Sequence, residues 1–253
     1  RRHPALRREL VPAALTEEPK ADIKEVPQDP ALEWLGAATD GEYMRERLQP
    51  HFPGLQLLQL KVERFTYKPG KSARFSYRIK LLDPVRGQKA RHVMHGRMEP
   101  PAEIAALHKK MAKRRWSQPR FGPALLCFPD LGILLWGFPN DPKLQGLERV
   151  AQPEPLLALL RTLPELGFEP ASCESSIVKY VPGKRLVMRH KLAGPGARAT
   201  IYGKTYSHER GASIHAVMRH LWEHSQRDPE TLTLPQPLAW VPESNTLLIL
   251  GLP

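Results

Sequence analysis

Two stretches, RFSYRIKL (74–81) and LVMRHKL (186–192), alternate between apolar and polar residues. A period of two marks a strand with one buried face. Each stretch follows a Tyr-x-Pro-Gly-Lys turn, at 67–71 and at 180–184. Pro presets φ there and Gly accepts a positive φ. Around these hairpins the pattern predicts strands over 55–66, 71–82 and 90–98, then a helix from Pro100-Pro101 with Ile104, Leu107 and Met111 on one stripe. Strands over 123–128 and 131–138 follow, turning at Pro129-Asp130. The second half repeats the order: a helix over 154–166, strands around 180, over 185–192 and over 199–206, a helix over 211–223, and strands over 237–241 and 246–250. The second late helix places Ile214, Val217, Met218, Leu221 and Trp222 at amphipathic spacing.

The two halves match at separate anchors. The Tyr-x-Pro-Gly-Lys turns align, Gly96-Arg97 aligns with Gly203-Lys204, and PALLCFPDLGILLWGFP (123–139) aligns with PLAWVPESNTLLILGLP (237–253). The offset of about 110 residues is too long for a solenoid unit and indicates a duplicated small domain. The predicted organisation is a tail over 1–28, a first domain over 29–139, a linker over 140–153 and a second domain over 154–253. Asp29-Pro30 opens the first domain as a helix start, with a break near Thr39-Asp40-Gly41. The predicted class is α+β: two tandem domains, each a largely antiparallel five-stranded sheet with one packed helix and one preceding helix.

Composition narrows the function. The net charge is +12, and residues 41–140 carry 19 Lys and Arg against 7 Asp and Glu, whereas 154–253 carry 11 against 9. The first half therefore holds the excess, which favours anionic partners. No apolar run is long enough to span a bilayer, and RRHPALRREL lacks the apolar core of a secretory signal. Cys127 and Cys173 make neither a disulfide framework nor a metal motif, so a cytoplasmic setting is expected. The chain opens without Met and stops directly after an apolar strand, as a piece of a longer protein would. His220 and His224 stand at i, i+4, but no Cys or carboxylate completes a metal set, and a polar helix face is their ordinary home. The densest basic cluster is Lys109, Lys110, Lys113, Arg114 and Arg115 beside Trp116. It suits phosphate contact with base stacking, or the cations that ordinarily complement a helix C-terminus.

Three β-strands, a helix and two β-strands, with Lys204 ending the third strand, resemble the small lobe of a protein-kinase-like phosphotransferase. The segments YVPGKRLVMRHKL, IYGKTYSHERGASIHAVMRHLW and PQPLAWVPESNTLLIL are most similar to the bacterial aminoglycoside phosphotransferase/choline-kinase-like family, and the similarity covers Ser175 to Pro253 best. It implies two kinase small-lobe-like domains, the first diverged. It implies that Lys204 binds nucleotide phosphates, with Gly183, Lys184 and Arg185 in the phosphate-covering turn. Glu209 would be the nearest acidic partner of Lys204, and Leu250 and Leu252 would begin the hinge facing adenine. The turn has one Gly where protein kinases use G-x-G-x-x-G. The first copy has Glu103 on its helix but Arg97 in place of the lysine, while Ser213 stands where a helix Glu belongs in the second copy. ATP and Mg²⁺ are the implied cofactors of the whole protein, and a small-molecule alcohol is the implied acceptor. The catalytic base and the metal ligands lie beyond the hinge in that family. No His-x-Asp occurs here, so this chain alone is expected to be inactive and to hold no catalytic or metal-binding residue. The alternatives are a basic module for nucleic acid or another anion, and a pseudokinase-type scaffold.

Overall fold

The computed structural model of the protein describes residues 29–32, 34–208, 210–227 and 233–252. Within them the chain is α+β, with two antiparallel five-stranded sheets. Helices α1 (Leu35–Thr39) and α2 (Gly41–Leu48) lead into β1 (Gln56–Lys68), β2 (Ser72–Asp83) and β3 (Gln88–Met98). Helix α3 (Pro101–Ala112) precedes β4 (Leu125–Phe128) and β5 (Ile133–Gly137). The order then recurs: α4 (Glu148–Ala151), α5 (Pro153–Leu160), β6 (Ser172–Val181), β7 (Arg185–Gly194), β8 (Ala197–Tyr206), α6 (Arg210–Ser225), β9 (Pro237–Val241) and β10 (Thr246–Leu250). The sheets run β1-β2-β3-β5-β4 and β6-β7-β8-β10-β9, the same topology twice.

Alternation decides the faces. On β2, Ala73, Phe75, Tyr77, Ile79 and Leu81 are buried, while Arg74, Arg78 and Lys80 are exposed. The buried row meets Met44 and Leu48 of α2 in one core. In the second sheet Leu192, Ile201 and Leu248 meet Leu156 and Leu160 of α5. The preceding helix thus covers one sheet face in each half. The break before α2 falls at Asp40, whose carboxylate caps the helix by accepting from the Glu42 amide at 2.9 Å and the Tyr43 amide at 3.1 Å.

Two helix expectations are revised, and the linker gains detail. The helix over 154–166 stops at Leu160, because Pro164 cannot continue it; residues Pro164–Leu166 form a separate 3₁₀ turn. Residues 140–153, the expected linker, have folded structure of their own. They contain α4 and bury Leu144 and Leu147 against Leu186 and Met188 of β7. Asp141-Pro142-Lys143-Leu144 is the counterpart of Asp29-Pro30-Ala31-Leu32, so this segment repeats the opening of the first half. Helix α6 does not turn its whole apolar stripe inward. Val217 is 58% exposed and Leu221 49%, while Ile214, Met218 and Trp222 at i, i+4, i+8 are half-buried. The seam is that narrow because α6 rests mainly on the short strand β9.

Gly96 marks the tightest approach in the first sheet. A Cβ there would lie 1.9 Å from the ring of Phe75, its cross-strand partner, which is buried. Gly96→Ala is expected to lower stability by about 1–3 kcal/mol through overpacking. A urea midpoint measures the drop, and adding Phe75→Leu should recover part of it.

Candidate phosphate-binding site on the second sheet

Lys204 lies on β8, the central strand of its sheet. Its neighbours across the ladder are Val187 on β7 and Leu247 on β10, and Leu247 faces Trp240 on β9. Cross-strand partners share a face. The first turn of α6 sits on that face, because a Cβ at Gly211 would lie 2.0 Å from the Trp240 ring. Lys204 therefore stands on the α6 side of the sheet. It is half-buried, and among the described residues no carboxylate lies within ion-pair reach of it.

The first sheet shows what the position does when closed. Arg97 occupies the same place, between Arg74 and Leu134. Its guanidinium is ion-paired with Glu99, two residues on, whose side chain is 7% exposed. In the second sheet Tyr206 stands two residues beyond Lys204. Burial raises the Tyr206 hydroxyl pKa, so the ring stays neutral and offers no counter-charge. The duplicated position carries a neutralised cation in one half and, among the described residues, one without a carboxylate partner in the other. Glu103 is exposed on α3 and does not serve Arg97.

A second group of donors lies at the β6–β7 turn. Lys143, Gly183, Lys184, Ser207 and His208 line an open groove of about 590 Å³. The Ser207 amide donates to the Lys184 carbonyl at 3.1 Å, which ties the turn to the start of the β8–α6 loop. Gly183 takes a left-handed φ of 68°, but its amide already donates to Asp141 Oδ2 at 2.7 Å. The turn is therefore not a cradle of free amides. The Lys143, Lys184, Ser207 and His208 side chains are what it offers an anion.

Asp141 holds this turn in place. Its Oδ2 accepts from Tyr180 Oη at 2.8 Å and from Gly183 N, and its Oδ1 accepts from the Lys143 and Leu144 amides at 2.7 and 3.0 Å. Burial and the neighbouring Asp141 carboxylate raise the Tyr180 pKa well above its ordinary value. The first half has the same latch: Asp29 accepts from Tyr67 Oη and, at 2.7 Å, from the Gly70 amide. The hydrogen bond to Asp29 pushes the Tyr67 pKa up to about 12. Tyr180 also meets His95 of β3 edge-on, with ring centroids 4.4 Å apart, so the second turn rests on the first sheet.

The other expected site residues are placed as follows. Arg185 is exposed opposite Tyr206 and is itself engaged. Glu209 lies outside the described residues. Leu250 pairs with Ile201 and packs in the α5-side core, on the face away from Lys204, whereas Leu252 is 53% exposed. Asp141, Lys143 and Ser207 escaped the sequence reading; the repeated Asp-Pro ahead of each Tyr-x-Pro-Gly turn was the signal for the first two. The basic cluster after α3 is partly spent on structure. Arg114 Nη1 donates to the Pro142 carbonyl at 2.8 Å, and Trp116 Nε1 donates to the Met111 carbonyl at 2.9 Å. Among the described residues no group of three His, Cys, Asp or Glu side chains is placed to hold a metal, and no helix is long and apolar enough to cross a membrane.

The chain matches no protein-family model, no curated protein and no solved structure.

Proposed function

We propose that the second half of this chain is the nucleotide-phosphate-binding lobe of a kinase-like phosphotransferase acting on a small-molecule alcohol. The supporting observation is the contrast at one duplicated position: Arg97 is closed by Glu99, whereas Lys204 has no carboxylate partner among the described residues and stands beside α6. A lysine based on a central strand is a fixed point charge suited to phosphate oxygens. Lys184, Lys143, Ser207 and His208 supply further donors in the groove at the β6–β7 turn. The latch from Asp141 keeps the turn in one conformation, so that little ordering is needed when an anion enters. The first half, with its cation neutralised, supports the second without binding nucleotide. The described residues offer no carboxylate set for Mg²⁺, and the role assigned to them is confined to holding and orienting phosphates.

A thermal-shift titration with ATP and with tripolyphosphate tests this reading. Both ligands are expected to raise the melting temperature of the wild type. Lys204→Met should reduce the shift by at least tenfold in apparent affinity, equivalent to about 1.4 kcal/mol. An equal shift in Lys204→Met and wild type would contradict the assignment.

A further inference from the structure

We propose that the exposed end of the first sheet's polar face, beyond the rung where Tyr180 rests on His95, binds the phosphate backbone of a nucleic-acid duplex. Three strands bring its residues together. Lys61 of β1 stands opposite Arg78 of β2, and the next rung is Gln59, Lys80 and Arg91 across β1, β2 and β3. Lys89 stands opposite Leu82 one rung further on. All of these lie on the face of β2 opposite its buried row. Gln59, Lys61, Arg78, Lys80 and Arg91 line a groove of about 360 Å³. Register shifts in β1 lie between Leu57 and Gln59 and between Val62 and Arg64, irregularities of the kind that bend an edge strand.

Among the described residues most of these charges are not neutralised. Arg78 pairs with Glu63, but Lys61, Lys80, Lys89 and Arg91 are exposed and enter no ion pair among the described residues. Lys80 and Arg91 are direct cross-strand partners, an arrangement that destabilises a sheet unless an anion lies over it. The spacing suits phosphates. Side chains two residues apart on a strand are roughly 6.6–6.8 Å apart. One nucleic-acid strand presents two phosphates over about the same axial length, at about 3.4 Å each. Among the described residues no aromatic side chain lines the groove, which gives bases no ring to stack on. Contact is therefore with the backbone and independent of sequence, which suits a duplex whose phosphates are held in a regular array. This surface is separate from the groove at Lys184 and does not depend on the nucleotide reading.

Fluorescence anisotropy with labelled DNA and RNA duplexes of about 20 base pairs, over roughly 50–200 mM salt, tests the proposal. A single strand of equal length and polyglutamate serve as competitors. The variants are K61E/K80E/R91E and, as a control of equal charge change, K109E/K110E/K113E, each checked by its melting curve. The milder K61Q/K80Q/R91Q gives the same readout if the reversed-charge variant does not fold. Duplex binding is expected to weaken at least tenfold in either sheet variant, and the log–log salt slope to fall by about three. The helix variant should stay within about twofold of wild type. Unchanged affinity in the sheet variants, or equal loss in the helix variant, would overturn the proposal. So would polyglutamate or the single strand competing as well as the duplex, which would point to an acidic protein or a flexible strand.

Discussion

Asp141→Ala is expected to destabilise the chain by about 3–5 kcal/mol. The carboxylate is 6% exposed and accepts four hydrogen bonds, from Tyr180 Oη and the amides of Gly183, Lys143 and Leu144. Its removal leaves the Tyr180 hydroxyl, whose half-buried ring packs against His95 and Phe138, without an acceptor. Asp141→Asn keeps the shape but replaces two acceptor sites with donors, and should cost about 1–3 kcal/mol. Asp29→Ala removes the same latch from a more exposed setting, so its effect should be smaller. Urea unfolding of the three variants measures the difference. If Asp29→Ala proved as damaging as Asp141→Ala, burial would not be what gives the second latch its strength. The Asp141 variants should also weaken ATP binding, because the Gly183–Lys184 turn would no longer be held.

The second large effect is acid unfolding through three buried imidazoles. Desolvation lowers the pKa of His92 and His190 to about 4 and that of His95 to about 3. Nδ1 of His95 and of His190 is bonded to Ser76 and Ser175, at 2.9 and 2.8 Å, while Nε2 has no partner in any of the three rings. The unfolded chain takes up these protons near pH 6.5, and the folded chain resists until pH 3–4. Stability is therefore full above about pH 7 and falls as pH drops through that window. Near pH 5 each imidazole costs about 2 kcal/mol, a sum comparable to the whole stability of an ordinary domain. The melting temperature should fall steeply from about pH 7 to pH 5, and less steeply in His190→Gln. A flat profile over that range would show that these rings reach water in the folded chain.

Much of the fold was legible because it is local. The alternation in RFSYRIKL and LVMRHKL gave the central strands, and each Tyr-x-Pro-Gly turn gave the hairpin. The alignment of Arg97 with Lys204 is reproduced by the register, since each stands in the same place between its second and fifth strands. The missing parts are long-range. Asp141 meets Tyr180 and Gly183 across about 40 residues of chain, and nothing in DPKLQGLERVA has the period of a long helix. The exposure of Val217 and Leu221 depends on how little sheet lies under α6. Linear charge density pointed to Lys109–Arg115. The cations that sheet pairing gathers, Lys61, Lys80 and Arg91, are scattered among apolar residues in the sequence.

The central claim is that Lys204 is the phosphate ligand of this chain. Acylation of lysines with and without ATP, read residue by residue by mass spectrometry, tests it most directly. ATP should protect Lys204 most, then Lys184 and Lys143, and should leave Lys61 and Lys80 as reactive as before. Protection confined to Lys61 and Lys80, with Lys204 modified at the same rate in both samples, would contradict the account.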